Sequence, residues 1–112
     1  MNQADTIRIR HMIDAGEGAL RFIAGRTRAD LDADEMMRFA LVRAIEIIGE
    51  AASRVSPETR SQIPSVPWQD VVLMRNRLVH VYFDIDHAIL WKTATEDIPA
   101  LLAELRPLVP RA

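Results

Sequence analysis

The sequence predicts an all-α fold, a bundle of four main helices, from three observations. Apolar residues recur at the three- and four-residue spacing of a helix stripe over most of the chain. Capping residues, glycines and prolines stand between these stretches, where helices begin and end. No segment shows the alternation of apolar and polar residues that is typical of a strand. Helices with one apolar stripe each bury it most simply against one another in a bundle.

The first two helices are the longest predicted elements. Residues 6–25 carry apolar side chains on one stripe, and Gly25 is a natural end because glycine readily takes the left-handed conformation. Residues 27–31 are expected to form a loop. Asp32 and Glu35 resemble a capping box that starts the second helix. The buried face of that helix is predicted to comprise Met37, Ala40, Leu41, Ala44, Ile48, Ala51 and Val55.

Prolines divide the second half of the chain. Ser56 and Pro57 are predicted to begin a short helical turn, with the serine as cap. Two prolines within residues 63–67 prevent a regular helix there and indicate a linker. A third helix is expected over residues 68–82.

The fourth helix is predicted to follow a turn at residues 83–86. Asp86 can cap it, because a short acidic side chain accepts hydrogen bonds from the first free N–H groups of a helix. The helix runs toward Arg106, and Pro99 is expected either to kink it or to start a new segment.

Composition limits the classes of function. The chain has 112 residues, 14 Lys and Arg against 16 Asp and Glu, and a net charge of -2, so one domain over residues 1–112 is expected. This charge argues against non-specific coating of nucleic acid but allows a local phosphate site. The absence of cysteine excludes disulfides, thiolate metal sites and cysteine nucleophiles. Without a signal peptide or a long apolar run, a cytoplasmic protein is expected.

The predicted third helix departs from an amphipathic pattern. Its apolar residues point in nearly every direction on a helical projection, which predicts a buried helix. Arg75, Asn76 and His80 lie within this stretch, and buried polar groups need partners. The three residues therefore indicate a functional site.

An ideal helix constrains how these side chains can meet. Asn76 and His80 are four residues apart, so the amide could orient the imidazole. Arg75 and His80 lie about 140° apart, which makes it difficult for one copy to direct both at one phosphate. Tyr82 lies about 20° from Arg75, on the same stripe. A homodimer, in which two copies each supply an Arg and a His, is the easier arrangement.

Residues 75–82 read Arg-Asn-Arg-Leu-Val-His-Val-Tyr and fit the pattern R-x4-H-x-Y with Asn after the Arg. This resembles the signature of HEPN-domain ribonucleases of the HepT type, the toxin half of HepT–MntA toxin–antitoxin pairs. Leu73 departs from the family, where a small residue, often Gly, is expected before Met-Arg-Asn. The order and spacing of the family are matched in further blocks at residues 47–52, 66–68, 74–76, 82–86 and 96–99.

The resemblance implies a HEPN-type bundle and an endoribonuclease that uses no metal and no other cofactor. In that reaction the ribose 2′-OH attacks the adjacent phosphate and the 5′-oxygen leaves. His80 is assigned as general acid or base, which suits the near-neutral pKa of histidine. Arg75 is assigned to stabilise the developing charge, and Asn76 to orient His80 or a phosphate oxygen. The substrate is expected to be RNA, either tRNA or mRNA.

Tyr82 is the regulatory candidate. The resemblance implies that an MntA-like nucleotidyltransferase antitoxin transfers AMP from ATP to this tyrosine. An AMP group on Tyr82 would place bulk and negative charge beside Arg75 and repel RNA. The expected partners are therefore RNA, the antitoxin and a second copy of the chain, with no membrane.

Two other functional interpretations stay open at this point. The chain could be a non-catalytic HEPN module that binds nucleotide or a nucleotidyltransferase. It could also be a structural bundle in which Arg75 pairs with a helix C-terminus, with Glu46 or with Glu50. Arg77 projects about 200° from Arg75 and is predicted to be a surface or interface residue.

A metal site is the chemical alternative for the same region. Its ligands would be His80, Asp84, Asp86 and His87, which are plausible ligand types. The spacing argues against it, since Asp84 and Asp86 are read more simply as turn and cap residues.

Overall fold

The computed structural model describes residues 1–81 and 84–110, and at residues 80 and 81 the backbone alone. Twelve segments follow one another in these ranges, and almost all are helical, so the predicted all-α class is confirmed. The α-helices are α1 (Gln3–Ile23), α2 (Arg28–Ala33), α3 (Glu35–Ser53), α4 (Pro57–Gln62), α5 (Trp68–Val72), α6 (Met74–Leu78), α7 (His87–Lys92) and α8 (Ile98–Leu105). The strands are β1 (Val79–Val81) and β2 (Asp84–Ile85), a π turn covers Thr93–Asp97, and a 3₁₀ turn covers Arg106–Leu108.

Helices α1 and α3 form the main pair of the bundle. The Asn2 side chain accepts a hydrogen bond from the Asp5 backbone N–H and so caps α1. Gly25 has a φ of 71°, which lets the chain leave α1 at the predicted place. The buried side chains of α1 that meet α3 and α8 follow the predicted stripe and include Ile9, Met12, Ile13 and Ala19.

The start of α3 differs from the prediction. Residues 28–33 form α2 rather than part of a loop, because the Thr27 side chain and the Asp30 side chain bond each other's backbone N–H in a capping box. Asp34, and not Asp32, caps α3 by accepting from the Met37 N–H. The predicted inner face of α3 is otherwise confirmed, with Ala40 half-buried and these residues buried: Met37, Leu41, Ala44, Ile48, Ala51 and Val55.

A buried aspartate joins the start of α1 to the start of α4. Asp5 is 2% exposed. It accepts hydrogen bonds from the Ser56 Oγ at 2.6 Å, the Ser56 N–H at 2.9 Å and the Thr59 Oγ1 at 2.5 Å. The hydrogen bonds from Ser56 and then from Thr59 hold the pKa of Asp5 below the ordinary range of an aspartate, against the opposing effect of burial.

We expect Asp5→Ala to lower the free energy of unfolding by about 2–3 kcal/mol, because charge-assisted bonds are lost and their donors are left buried. The Asp5 pKa is lower in the folded state than in the unfolded state. Its contribution is therefore complete above about pH 5 and is lost as the pH falls through the folded-state pKa. Urea unfolding at pH 7 and pH 3 measures both effects.

Asp70→Ala is the control for this prediction, since Asp70 makes an exposed ion pair with Arg77. Exposed pairs contribute about 0–1 kcal/mol. Equal losses in the two variants at pH 7 would contradict the structural role of Asp5.

The linker between α4 and α5 is anchored by a tryptophan. Ser56 caps α4 and Pro57 occupies its first turn, as predicted. The buried Trp68 donates from its indole Nε1 to the Ile63 carbonyl at 3.0 Å. This bond folds the proline-containing linker back on the start of α5.

The predicted third helix over residues 68–82 is wrong in two places. It breaks at Leu73, which has φ −93° and ψ 2° between α5 and α6. It ends at Leu78, after which residues 79–81 form β1 and pair antiparallel with β2. The β-branched Val79 and Val81 favour extended backbone, and the pairing with β2 supplies the hydrogen bonds that a helix would have made.

Helix α5 approaches α3 closely where the glycine Gly49 faces it. A Cβ built on Gly49 would lie 3.1 Å from the Val72 carbonyl oxygen, so the backbone of α5 would have to move by a few tenths of an ångström to accept a side chain. Leu73, where the family pattern predicts a small residue, is 40% exposed. The close contact is therefore provided by Gly49 of α3, and the larger residue at position 73 is accommodated.

The last predicted helix consists of three parts. Asp86 caps α7 by accepting from the Ile89 N–H, as predicted. The π turn separates α7 from α8, and Pro99 lies in the first turn of α8. A proline cannot donate to the preceding turn and would clash with it in a regular helix. The wider π turn removes that conflict, so Pro99 starts a new segment.

The apolar side chains of these elements form one core. Its buried members come from α1, α2, α3, α5, α6, α7, the π turn and α8, and from the connecting segments at Val55, Val66 and Val109. Within the described ranges 1–81 and 84–110, no helix has the length and apolar character needed to span a bilayer.

Candidate functional site

The residues of the R-x4-H-x-Y pattern lie on two different elements. Arg75 and Asn76 are on α6, and His80 is the central residue of β1. Tyr82 lies outside the described residues. Because His80 lies on a strand, the angle of about 140° that an ideal helix predicts between Arg75 and His80 does not apply. The case for a homodimer that used this angle loses that support.

Arg75 is held by an acidic side chain of α3. Its Nε donates to the Glu46 Oε2 at 3.0 Å, and the side chains of Arg75 and Glu46 are 46% and 34% exposed. The prediction that Arg75 and Asn76 are buried is wrong, since both are exposed. Leu73 interrupts the helix, and the following turn lies at the surface.

The bond to Glu46 determines what Arg75 can do next. An arginine has five N–H donors on a planar group, and only the one at Nε is used by Glu46. Within the part of the chain that the structure describes, the two terminal nitrogens remain to bind two oxygens of one phosphate, which is the preferred geometry of this side chain. Because an exposed ion pair adds little to stability, its main effect here is to orient Arg75.

Arg75 and Asn76 line a shallow hollow of about 330 Å³ between α3 and the α5–α6 turn. The other side chains and backbone groups around it belong to Arg43, Glu46, Gly49, Glu50, Ser53 and Val72. The close approach at Gly49 brings these elements together. The hollow is large enough for a phosphate group and open enough for a polymer.

Arg77 faces away from this hollow. It donates to the Asp70 Oδ1 at 2.7 Å, and both side chains are more than half exposed. The two residues line a different cavity, together with residues of α8. The structure thus places Arg77 at the surface, as predicted, and does not bring it to Arg75.

Two of the four residues of the metal alternative have other partners in the described structure. Asp86 caps α7, and the His87 Nδ1 lies 2.8 Å from the Asp32 Oδ1. Hydrogen bonds from Arg28 and then from His87 hold the pKa of Asp32 below its ordinary value. Among residues 1–81 and 84–110, no three His, Cys, Asp or Glu side chains are grouped as metal ligands.

The helical fold and the exposed arginine on a short helix define a class of small all-α proteins with a phosphate-sized surface hollow. The chain belongs to the family described as "Ribonuclease HepT-like", whose model matches residues 12–108. This confirms the family resemblance drawn from the sequence. No solved structure matches the chain at a significant level.

Three relatives illustrate the extent of the similarity. "Putative RNase MJ1380" of Methanocaldococcus jannaschii is 44% identical over 72 residues, covering 64% of this chain and 66% of the relative. "Probable ribonuclease HepT" of Thermococcus cleftensis is 40% identical over 79 residues, covering 70% and 72%. "Putative RNase TTE0752" of Caldanaerobacter subterraneus subsp. tengcongensis is 31% identical over 101 residues, covering 90% of each chain.

Proposed function

We propose that residues 1–112 form one HEPN-like domain that acts as a metal-independent endoribonuclease toxin. The observation that carries this proposal is the placement of Arg75. Its guanidinium is fixed by Glu46 through Nε, with its terminal nitrogens left to bind a phosphate in an open hollow. The ribonuclease names of the relatives support RNA as the substrate of this chain.

The proposed reaction is an internal transfer within RNA. A base takes the proton of the ribose 2′-OH, the 2′-oxygen forms a bond to phosphorus, and the bond to the 5′-oxygen breaks. An acid gives a proton to the departing 5′-oxygen. The products are a 2′,3′-cyclic phosphate and a 5′-OH, and no oxidant or metal is required. His80 serves as the acid or base, and Arg75 binds the phosphate oxygens as charge develops.

A homodimer supplies the groups that one copy lacks. The reaction uses both a base and an acid, and each chain contributes one His80. Two copies can meet so that both Arg75 side chains reach one phosphate, because Arg75 and Asn76 are exposed rather than built into the core. In this arrangement one His80 acts as base and the other as acid, and Asn76 orients a phosphate oxygen or His80.

Regulation is proposed to occur at Tyr82. An MntA-like nucleotidyltransferase antitoxin transfers the AMP group of ATP to the tyrosine oxygen and releases pyrophosphate. The added phosphate carries negative charge to Tyr82, which follows Arg75 by seven residues in sequence, and this charge opposes RNA binding.

Incubation of the protein with such an antitoxin and ATP should raise its mass by one or more AMP groups. The Tyr82→Phe protein should show no increase and should stay active in the antitoxin's presence. Inhibition of wild type without any change in mass would contradict this proposal and indicate inhibition by direct binding.

The proposed activity is tested with protein purified without its antitoxin and shown by mass to be unmodified. We expect it to cleave total RNA in EDTA, with 2′,3′-cyclic phosphate and 5′-OH ends. The Arg75→Ala/His80→Ala protein should leave the RNA intact. Absence of cleavage by a folded, dimeric wild-type protein would contradict the proposal and favour a non-catalytic nucleotide- or partner-binding module.

A further inference from the structure

We propose that the groove between α1 and α3 binds a single-stranded part of the RNA beside Arg75. Arg8 and Arg43 would contact its phosphates, and Phe22 would stack on a base. This inference rests on the proposed function, and it assigns a substrate-binding role to residues outside the R-x4-H-x-Y pattern.

The groove is continuous with the hollow that contains Arg75. Three hollows adjoin one another on this face, and Arg43 lines all three. Of the two hollows that lie between α1 and α3, one contains Arg8 and Arg54, and the other contains Phe22. Arg43 and Arg54 are about three helical turns apart on α3, so they lie on one stripe over about 16 Å. An RNA strand bound at Arg75 therefore has a path along α3.

The groove and the adjoining Arg75 hollow have excess positive charge on an otherwise slightly acidic chain. The three hollows together are lined by five arginines and three carboxylates, whereas the whole chain has a net charge of -2. Glu46 is paired with Arg75, and Glu50 with Arg54 at 3.3 Å. Within the described ranges, neither Arg8 nor Arg43 has an ion pair. Unpaired arginines in a concave surface attract a polyanion.

The hollow that contains Phe22 favours single-stranded RNA over a duplex. It is mainly apolar, and it places the Phe22 ring next to the same Arg43 that lines the Arg75 hollow. Phe22 is 42% exposed, so a large part of its side chain is open to solvent. Aromatic rings beside arginines bind unpaired bases by stacking, which paired bases within a helix cannot do.

The test measures binding of a 2′-O-methyl RNA oligonucleotide, which lacks the attacking hydroxyl and is not cleaved. The Arg8→Ala/Arg43→Ala protein should bind about 10- to 100-fold more weakly than wild type. The slope of log Kd against log salt should fall by about 0.7 for each phosphate that no longer meets an arginine. The Arg8→Lys/Arg43→Lys protein should keep most of the slope. Phe22→Ala should weaken binding of single strands and not of duplex RNA.

The control is the Arg10→Ala/Arg77→Ala protein, in which the same amount of positive charge is removed. Arg10 is exposed on α1 and lines none of the three hollows, and Arg77 pairs with Asp70 on another face. Equal affinity and salt slope in the two double variants would overturn the inference.

The oligomeric state separates RNA binding from the other occupant of this face, a second copy of the chain. If Arg8→Ala/Arg43→Ala converts a dimer to a monomer, the groove is an interface between copies and the inference is overturned. The inference is also independent of catalysis, because the oligonucleotide is not cleaved. Wild-type protein that binds it with the expected slope but cuts no RNA would contradict the proposed function alone.

Discussion

Replacement of His80 with alanine should lower the rate of RNA cleavage by about 10²- to 10⁴-fold, the range expected when a general acid or base is removed. Affinity for the uncleaved 2′-O-methyl oligonucleotide should change by no more than about threefold, since proton transfer contributes to the transition state and not to binding. Single-turnover cleavage with excess protein measures the chemical step directly. The rate should not respond to EDTA in either protein.

His87→Ala is the matched control. It removes a histidine of α7 whose Nδ1 lies 2.8 Å from Asp32, away from the Arg75 hollow. The wild-type rate should rise and then fall with pH if one His80 acts as base and another as acid. The two pKa values of this bell-shaped profile then describe the pair of histidines and not either one alone. Cleavage by His80→Ala within about threefold of wild type would contradict the assignment.

The sequence predicted the fold best where periodic burial determines it. The inner faces of α1 and α3 follow the apolar stripes because each helix is long enough to show several turns of the pattern. The caps at Ser56 and Asp86 were also predictable, since they depend on residues three positions away. Two residues between positions 27 and 34 cap helices in the structure. Thr27 caps α2 and Asp34 caps α3, and α2 is the helix that the sequence did not predict.

The end of the third helix could not be predicted from local pattern alone. Residues 79–81 pair with residues 84–85, and such pairing overrides the helical preference of neighbouring residues. The predicted burial of Arg75 and Asn76 failed for the same reason. It assumed one straight helix, whereas the break at Leu73 and the end at Leu78 leave only one short turn of helix at the surface.

The candidate site was predictable in its residue types but not in its surroundings. The pattern identified Arg75, and Glu46 and Glu50 were both open as its partner. The fold selects Glu46, which is 29 residues away in sequence. Arg8 and Arg43 carried no recognised motif. The signal that could have found Arg43 is its three-turn spacing from Arg54 on the outer stripe of α3.

Replacement of Arg75 with alanine should lower the cleavage rate by about 10²- to 10³-fold, the effect of removing one group that stabilises transition-state charge. Unfolding free energy should change by about 1 kcal/mol or less, because its pair with Glu46 is exposed. Arg75→Lys should recover little activity, since an ammonium cannot bind two phosphate oxygens in the same planar manner.

Arg77→Ala distinguishes a site at Arg75 from a general effect of charge on RNA binding. The two arginines lie on the same short helix, each has one exposed carboxylate partner, and each variant loses one positive charge. Cleavage and unfolding measured on both proteins should therefore agree in stability and differ by about 10²-fold or more in rate. Equal losses of rate would place the effect in overall charge and would exclude Arg75 as the phosphate-binding residue. A loss confined to Arg75→Ala can come only from its position, because the fold directs Arg75 to the hollow beside Glu46 and Arg77 to a different cavity beside Asp70.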